Sequence, residues 1–127
     1  TREILWDLID VVSKNGRLLL NFGPKPDGTL ADKDMEILRA MGDWMKVNDE
    51  AIHGTGLWLL AQEGPTVIEE GGFSDGKPRV FTSEDFRFTC RGDQVYAIAM
   101  ACPEDGVLKI RSLRADGEDD LSFYRKT

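Results

Sequence analysis

Carboxylates are the side chains in this sequence best suited to chemistry, because two of them placed together can act as an acid and a base. The candidates are Asp32 with Asp34, Glu69 with Glu70, Asp116, and the run from Glu118 to Asp120. All of them fall on predicted turns, helix starts or exposed strand ends. A catalytic pair needs a pocket that shifts its pKa values, which such positions do not supply. We predict a solvated surface.

His53 and a tripeptide have both a chemical and a simpler structural interpretation. His53 is the single histidine, so no second histidine could share a metal with it, and we expect a packing or hydrogen-bonding role. Arg91-Gly92-Asp93 spells a cell-adhesion sequence, but Gly-Asp between two strand-like runs is ordinary hairpin chemistry.

Trp58 and Phe73 suggest a second functional hypothesis, the binding of carbohydrate. Exposed aromatic rings can form a platform for sugars, so a carbohydrate-binding module is the alternative to an enzyme. Lone aromatic residues in a linker more often pack one domain against another. We therefore favour packing and keep the module as the second hypothesis.

The composition limits the partners. The 127 residues carry a formal net charge of −7, which argues against nucleic acid and against an anionic membrane surface. No apolar run approaches the roughly 20 residues that cross a bilayer. A CxxC metal or redox motif is absent from the sequence.

The first 54 residues show a helix–strand–helix pattern. Apolar residues at three- and four-residue spacing predict a helix over 2–14, which Asn15-Gly16 ends. Leu18 to Leu20 predict a strand buried on both faces, as in a helix-covered parallel sheet. A second helix is predicted over 31–47, with a buried stripe formed by Ile37, Leu38, Met41, Trp44 and Met45. One strand cannot form a sheet, so we expect its partners upstream, in a longer protein.

Residues 55–127 have turn signals every eight to twelve residues, which is typical of an antiparallel sandwich. Strands are predicted at 66–70, 86–91, 94–101, 107–113 and 120–125. The clearest hairpin turns at Gly92-Asp93 and places Cys90 opposite Val95. Cys102 then lies roughly 20 Å from Cys90, beyond disulfide reach, so we predict two free thiols. The fold class is therefore α+β.

Several motifs resemble the α-L-fucosidase family of glycoside hydrolases. The run from Leu8 to Thr29, which reads LIDVVSKNGRLLLNFGPKPDGT, resembles the end of that family's catalytic barrel. The likeness continues in WMKVNDEAIHGT at 44–55, EGPT at 63–66 and FTSEDFRFT at 81–89. It ends in VYAI at 95–98 and PEDG at 103–106, so it covers nearly the whole chain. Phe22, Asp49 and His53 depart from the family pattern.

The resemblance implies that residues 1–54 are a helix–strand–helix remnant of a (β/α) barrel and that 55–127 form a small antiparallel β-sandwich. It implies a parent enzyme, secreted, periplasmic or lysosomal, that hydrolyses terminal α-L-fucosides with retention. The parent would use an Asp nucleophile and a second carboxyl as acid and base, and the resemblance implies no metal or organic cofactor. Its partners would be a fucosylated glycan and the upstream barrel.

No catalytic residue of the family is carried over to this chain. The family's nucleophile, its acid/base and its fucose-binding histidines lie in upstream motifs that are absent here. Asn21 and Gly23 would follow the barrel strand at its C-terminal end, where barrel active sites form, and are the two candidates for lining the fucose pocket. The simpler alternative is that Asn21 bonds loop backbone and Gly23 permits the turn. We expect the chain alone to be inactive and structural.

Overall fold

The computed structural model describes residues 1–68 and 80–113, and within them the chain is an α+β structure. Helix α1 spans Arg2–Ser13, and α2 spans Asp32–Asn48, followed by a 3₁₀ turn at Asp49–Ala51. Three strands follow, β1 at Gln62–Glu63, β2 at Phe86–Arg91 and β3 at Gln94–Ala99. They form one antiparallel sheet in the order β1-β2-β3. Both predicted helices and the predicted hairpin are confirmed.

Helix α1 ends in a Schellman motif. Asn15 adopts the left-handed conformation with φ of 62°. The N–H of Gly16 donates to the carbonyl of Val11 at 2.8 Å, and that of Asn15 donates to Val12 at 2.9 Å. These two bonds satisfy carbonyls that a helix end leaves without partners. The predicted stop at Asn15-Gly16 is confirmed.

The two faces of the hairpin have different neighbours. In the register, Phe86 lies opposite Ala99 and Phe88 opposite Ala97, so these side chains share one face. They pack with Leu60, Trp58 and Ile110 in one apolar cluster. On the other face α1 covers the sheet, and a second cluster unites Ile9, Ile52, Phe81 and Met100. Strand β2 is thus buried between two layers.

The cysteines behave as the register predicts. Cys90 pairs with Val95, and Arg91 pairs with Gln94 across the turn. Cys90 and Cys102 are both free thiols. Gly92 has a φ of 58°, which fits the first central position of a type II′ hairpin turn.

The predicted strand at Leu18–Leu20 is absent, because within the described residues no other strand lies beside it. The segment is irregular, and Leu19 is 93% exposed. The predicted buried stripe of α2 is also wrong: none of its residues is buried. Only Trp44 and Met45 of that stripe pack against the core cluster of Ile9 and Ile52.

Two further strand predictions differ from the structure. Residues 107–113 are irregular, since the Glu63 carboxylate accepts from the backbone N–H groups of Arg111 at 2.6 Å and Ser112 at 2.8 Å. Residues 66–68 are irregular because the N–H of Thr66 donates to Asp85 at 2.9 Å. Residues 69–70 and the predicted strand at 120–125 lie outside the described residues. The described residues contain one sheet, so the second sheet of the sandwich stays a prediction.

Candidate functional site

Asn21 and Gly23 lie in the irregular segment between α1 and α2, and both are exposed. A Cβ built on Gly23 would meet no atom within 4 Å. No hydrogen bond involves the Asn21 side chain within the described part of the chain, so the alternative in which it bonds loop backbone is not realised. Among the described residues, the structure therefore gives the Asn21 side chain no hydrogen-bond partner and leaves open space beside the Gly23 Cα.

The loop that follows Gly23 is nevertheless well organised. The Lys25 N–H donates to the Thr29 carbonyl at 2.7 Å. The Asp27 carboxylate accepts from the hydroxyl of Thr29 at 2.7 Å and from its N–H at 3.0 Å. These two bonds, the hydroxyl bond first, lower the pKa of Asp27. The loop therefore has a defined shape, although it is exposed.

Asp10 is one of two buried carboxylates among the described residues, and it joins α1 to β2. The Arg87 Nε donates to Asp10 at 2.6 Å, and the Lys14 ammonium donates to its other oxygen at 2.9 Å. Arg87 also donates to the Phe86 carbonyl at 3.0 Å, and its guanidinium lies 5.2 Å from the Phe81 ring centre. Its Nη2 is buried and has no acceptor within the described ranges. Asp10 is committed to an ion pair and is not free to act as a nucleophile.

Asp85 is the second buried carboxylate, and it joins two loops. It accepts from the N–H and hydroxyl of Thr66 at 2.9 and 2.7 Å. It accepts from the N–H and hydroxyl of Thr82 at 2.7 and 2.9 Å. Burial alone would raise the pKa of Asp85, but the four hydrogen bonds outweigh it and the pKa is lowered. An ionised carboxylate with four donors is a structural hub.

Sequence reasoning singled out neither Asp10 nor Asp85. The signal available was the family-like run at 81–89, which contains both Asp85 and Arg87. The chosen carboxylates behave differently: Asp32 and Asp34 lie in the first turn of α2. Glu69, Glu70, Asp116 and Glu118 to Asp120 lie outside the described residues. Within residues 1–68 and 80–113, no cluster of three His, Cys, Asp or Glu side chains could hold a metal ion.

The remaining candidates have structural partners. The His53 Nδ1 contacts the Asp49 carboxylate on the surface, which is a hydrogen-bonding role. Arg91 donates to Glu50 at 2.9 Å and to the Tyr96 hydroxyl at 3.1 Å. The Trp58 ring lies 4.9 Å from that of Phe88 and, half-buried, packs against the core cluster of Leu60, Phe86 and Phe88. Phe73, the second ring of the suggested sugar platform, lies outside the described residues.

The structure also contains a cleft of about 510 Å³ between the helices and the sheet. Residues of β3 line it, as do Trp6 of α1 and Trp44 of α2. The Trp6 indole N–H donates to the Met100 carbonyl at 2.9 Å, which fixes the start of α1 at the end of β3. No helix in the described ranges is long and apolar enough to span a membrane.

Comparison with known proteins identifies the class of protein. The family model described as alpha-L-fucosidase matches residues 1–50. The tissue alpha-L-fucosidase of Homo sapiens is 34% identical over 110 residues, which cover 87% of this chain and 20% of the human protein. The human plasma alpha-L-fucosidase is 48% identical over 56 residues, 44% of this chain and 12% of that protein.

Solved structures agree with the sequence comparisons. The structure of Thermotoga maritima alpha-fucosidase in complex with fucose superposes with a TM-score of 0.63 at 33% identity, covering 81% of this chain and 21% of that chain. The crystal structure of the same enzyme with a mechanism-based inhibitor gives the same TM-score of 0.63. Both the sequence and the fold therefore match glycoside hydrolases of one kind.

The chain belongs to the α-L-fucosidase family and corresponds to a C-terminal part of its members. It spans about a fifth of the length of the tissue fucosidases that it matches, 20% in the human case.

Proposed function

We propose that this chain is the C-terminal part of an enzyme that hydrolyses terminal α-L-fucosides with retention, and that the catalytic residues lie outside it. In this assignment, residues 1–54 complete a (β/α) barrel and 55–127 form the appended sandwich. The observation that carries the proposal is the match along 87% of the chain to proteins of which the chain spans only 20%. The two carboxylates that are buried in the described part of the chain, Asp10 and Asp85, are engaged in structural contacts, which supports a scaffold role.

The chemistry of the whole enzyme needs two carboxyl groups about 5–5.5 Å apart. One carboxylate attacks the anomeric carbon and forms a glycosyl-enzyme intermediate. The other carboxyl protonates the leaving oxygen and then accepts a proton from the attacking water. In this scheme the present chain forms part of the pocket wall and contributes neither the nucleophile nor the acid/base.

Asn21 and Gly23 are the residues of this chain that we assign to the sugar pocket. In a barrel, residues just beyond a strand's C-terminal end face the active site. The side-chain amide of Asn21 makes no hydrogen bond within the described residues, so it is available to a sugar hydroxyl. Gly23 has open space where a side chain would be, which leaves room for a ligand.

The upstream barrel is the partner that we assign to the exposed apolar residues of the first half. Leu19 is 93% exposed and Val47 is 82% exposed. Helix α2 buries none of its residues despite its apolar stripe. Packing of Leu18–Leu20 between neighbouring strands would remove this apolar surface from water.

Hydrolysis of 4-nitrophenyl α-L-fucoside tests the proposal. The chain alone is expected to release no nitrophenol above the uncatalysed rate, with the T. maritima enzyme as the positive control. A chimera in which this chain replaces the corresponding fifth of the T. maritima enzyme should be active. In that chimera Asn21→Ala should raise KM about tenfold, the effect of losing a good hydrogen bond to substrate. The exposed loop variant Lys25→Ala is the matched control and should leave KM unchanged.

Two results would contradict parts of the proposal. Turnover by the chain alone would place the catalytic groups inside it. An unchanged KM in the Asn21→Ala chimera would remove that residue from the pocket. The second hypothesis, a carbohydrate-binding module, receives no support from Trp58, because its ring packs on Phe88. Saturable binding of a fucosylated glycan near Trp58 would revive it.

A further inference from the structure

Strand β3 has a free edge within residues 1–68 and 80–113. It is the outer strand of the sheet there, and its one partner among these residues is β2. Arg91 and Gln94 flank a two-residue turn and therefore form a hydrogen-bonded pair. In an antiparallel ladder such pairs alternate with pairs that are not hydrogen-bonded to each other. The backbone N–H and C=O groups of Val95, Ala97 and Ala99 therefore point away from β2.

The opposite side of the hairpin shows the same alternation directly. The N–H of Phe88, which lies across from Ala97, donates away from β3 to the Ala61 carbonyl at 3.0 Å. The N–H of Cys90 likewise donates to the Gly56 carbonyl at 3.1 Å. On the outer side of β3, no backbone group among the described residues hydrogen-bonds to Val95, Ala97 or Ala99.

The cleft of about 510 Å³ runs along this edge. Six consecutive residues, 95–100, line it, together with Trp6 of α1 and Trp44 and Asn48 of α2. An unbroken run of strand residues exposes backbone N–H and C=O groups with which an added strand can form hydrogen bonds. A groove between a strand and a helix is the arrangement in which an extended peptide can add to a sheet.

The charge of the cleft defines the partner further. Strand β3 contains no charged residue, although edge strands are usually protected from pairing by charges, proline or bulges. Among the described residues that line the cleft, Arg2 is the one that carries a charge, in a chain of net charge −7. Its guanidinium lies 5.9 Å from the centre of the Trp6 ring, and Trp6 is bonded to Met100 at the end of β3.

We propose that this cleft binds an extended peptide segment of a partner polypeptide, which adds to β3 as a fourth strand. The segment is apolar at alternate positions, so that its side chains enter the space beside Trp6 and Trp44. It carries a carboxylate at the end that lies near Arg2. This inference is independent of the proposed function, because it rests on the edge, the cleft and its charge.

The probe is the blocked peptide acetyl-Glu-Val-Thr-Val-Thr-Val-Thr-amide, titrated into the isotope-labelled chain. Saturable shifts are expected at the amides of Val95, Ala97 and Ala99, with a change in tryptophan fluorescence. A peptide with proline in place of each valine lacks three of its seven residue N–H groups, all on one edge of the extended peptide, and should bind at least about tenfold more weakly. Arg2→Glu should weaken binding of the glutamate peptide about fivefold, and a peptide with lysine in place of glutamate should restore it.

Arg17→Glu is the matched control, because it makes the same charge change at an exposed residue that does not line the cleft. It should leave the affinity unchanged. Equal binding of the valine and proline peptides would overturn the proposal, as would the absence of saturable shifts along β3. Shifts along β3 caused by a fucosylated glycan but not by the peptide would make the cleft a sugar site instead. A concentration-dependent dimer that buries the β3 amides would make a second copy the occupant.

Discussion

The region around α1 and the hairpin differs sharply from the region between Gly16 and Asn48, although both are rich in apolar residues. In the first, Phe86 and Phe88 are fully buried, and Asp10 and Arg87 pair across 77 residues of sequence. In the second, Leu19 is 93% exposed and α2 has no buried residue. Apolar content alone therefore does not produce burial. An element is buried only where another part of the chain lies against it.

The ion pairs of the two regions show the same contrast. The Arg87 side chain is 1% exposed where it meets Asp10, whereas Lys46 and Asp43 on α2 pair at 77% and 73% exposure. A buried charge that loses its partner remains desolvated, while an exposed charge is simply hydrated. Removal of a carboxylate should therefore have very different consequences in the two regions.

Asp10→Ala should have the largest effect. It leaves the buried Arg87 guanidinium without its carboxylate, and Nη2 already lacks an acceptor within the described residues. Loss of one partner from such a pair costs about 3–5 kcal/mol of unfolding free energy. Urea denaturation followed by circular dichroism measures it. Asp43→Ala, the matched control on α2, should not shift the midpoint, and equal shifts in the two variants would abolish the contrast.

Asp85→Asn should have an intermediate effect. One oxygen accepts from the hydroxyl of Thr66 and from both donors of Thr82, and an amide NH₂ there would face donors. The expected loss at neutral pH is about 1–3 kcal/mol.

The Asp85 contribution should also depend on pH. The pKa of Asp85 is lowered in the folded chain from its usual value of 3.8. The stabilisation is therefore complete above that value and is lost as pH falls below it towards the folded pKa. Denaturation between about pH 6 and 2 should show the wild type converging on Asp85→Asn at the acid end. Glu84→Gln, an exposed neighbouring change, should keep the wild-type profile, and parallel curves for wild type and Asp85→Asn would refute this account.

Leu19→Ala should have the smallest effect on the chain alone. Its side chain is already 93% exposed, so the expected change stays within about 0.5 kcal/mol. Ile9→Ala is the comparison, because Ile9 is 5% exposed in the core and should cost about 2–5 kcal/mol. In the T. maritima chimera, Leu19→Ala should become costly if the barrel covers it. An equally small effect there would mean that the barrel leaves Leu19 exposed.

The sequence predicted those elements whose partners are close along the chain. The periodicity of α1 and its Asn15-Gly16 end are local signals, and the turn at Gly92-Asp93 fixes the hairpin register by itself. The strand at Leu18–Leu20 needed neighbouring strands that the described residues do not supply. Periodicity reports which face could be buried, and it contains no information on whether a neighbour is present.

The other misses come from side chains that compete for backbone donors. Residues 107–113 have strand-like composition, but Glu63 takes the N–H groups of Arg111 and Ser112, and Asp105 takes that of Val107 at 3.0 Å. The two Glu63 bonds join residues that are 48 and 49 positions apart in the sequence, so local sequence patterns do not reveal them. For the same reason the sequence did not predict that Asp10 and Asp85 are buried and bonded to residues distant along the chain. The exposure of Asn21 and Gly23 agrees with their predicted place in a loop.

The Schellman end of α1 has a consequence for assembly. The left-handed conformation of Asn15 fixes the direction in which the chain leaves the helix. The close approach of Gly16 to the helix restricts it further, because a Cβ added to Gly16 would lie 2.7 Å from Val11 Cγ1. Because α1 is itself tied to β2 through Asp10, the direction in which the chain leaves towards Leu18 is set before any strand partner arrives. A preset exit means that fewer backbone conformations are lost on docking, so the entropic penalty of association is smaller.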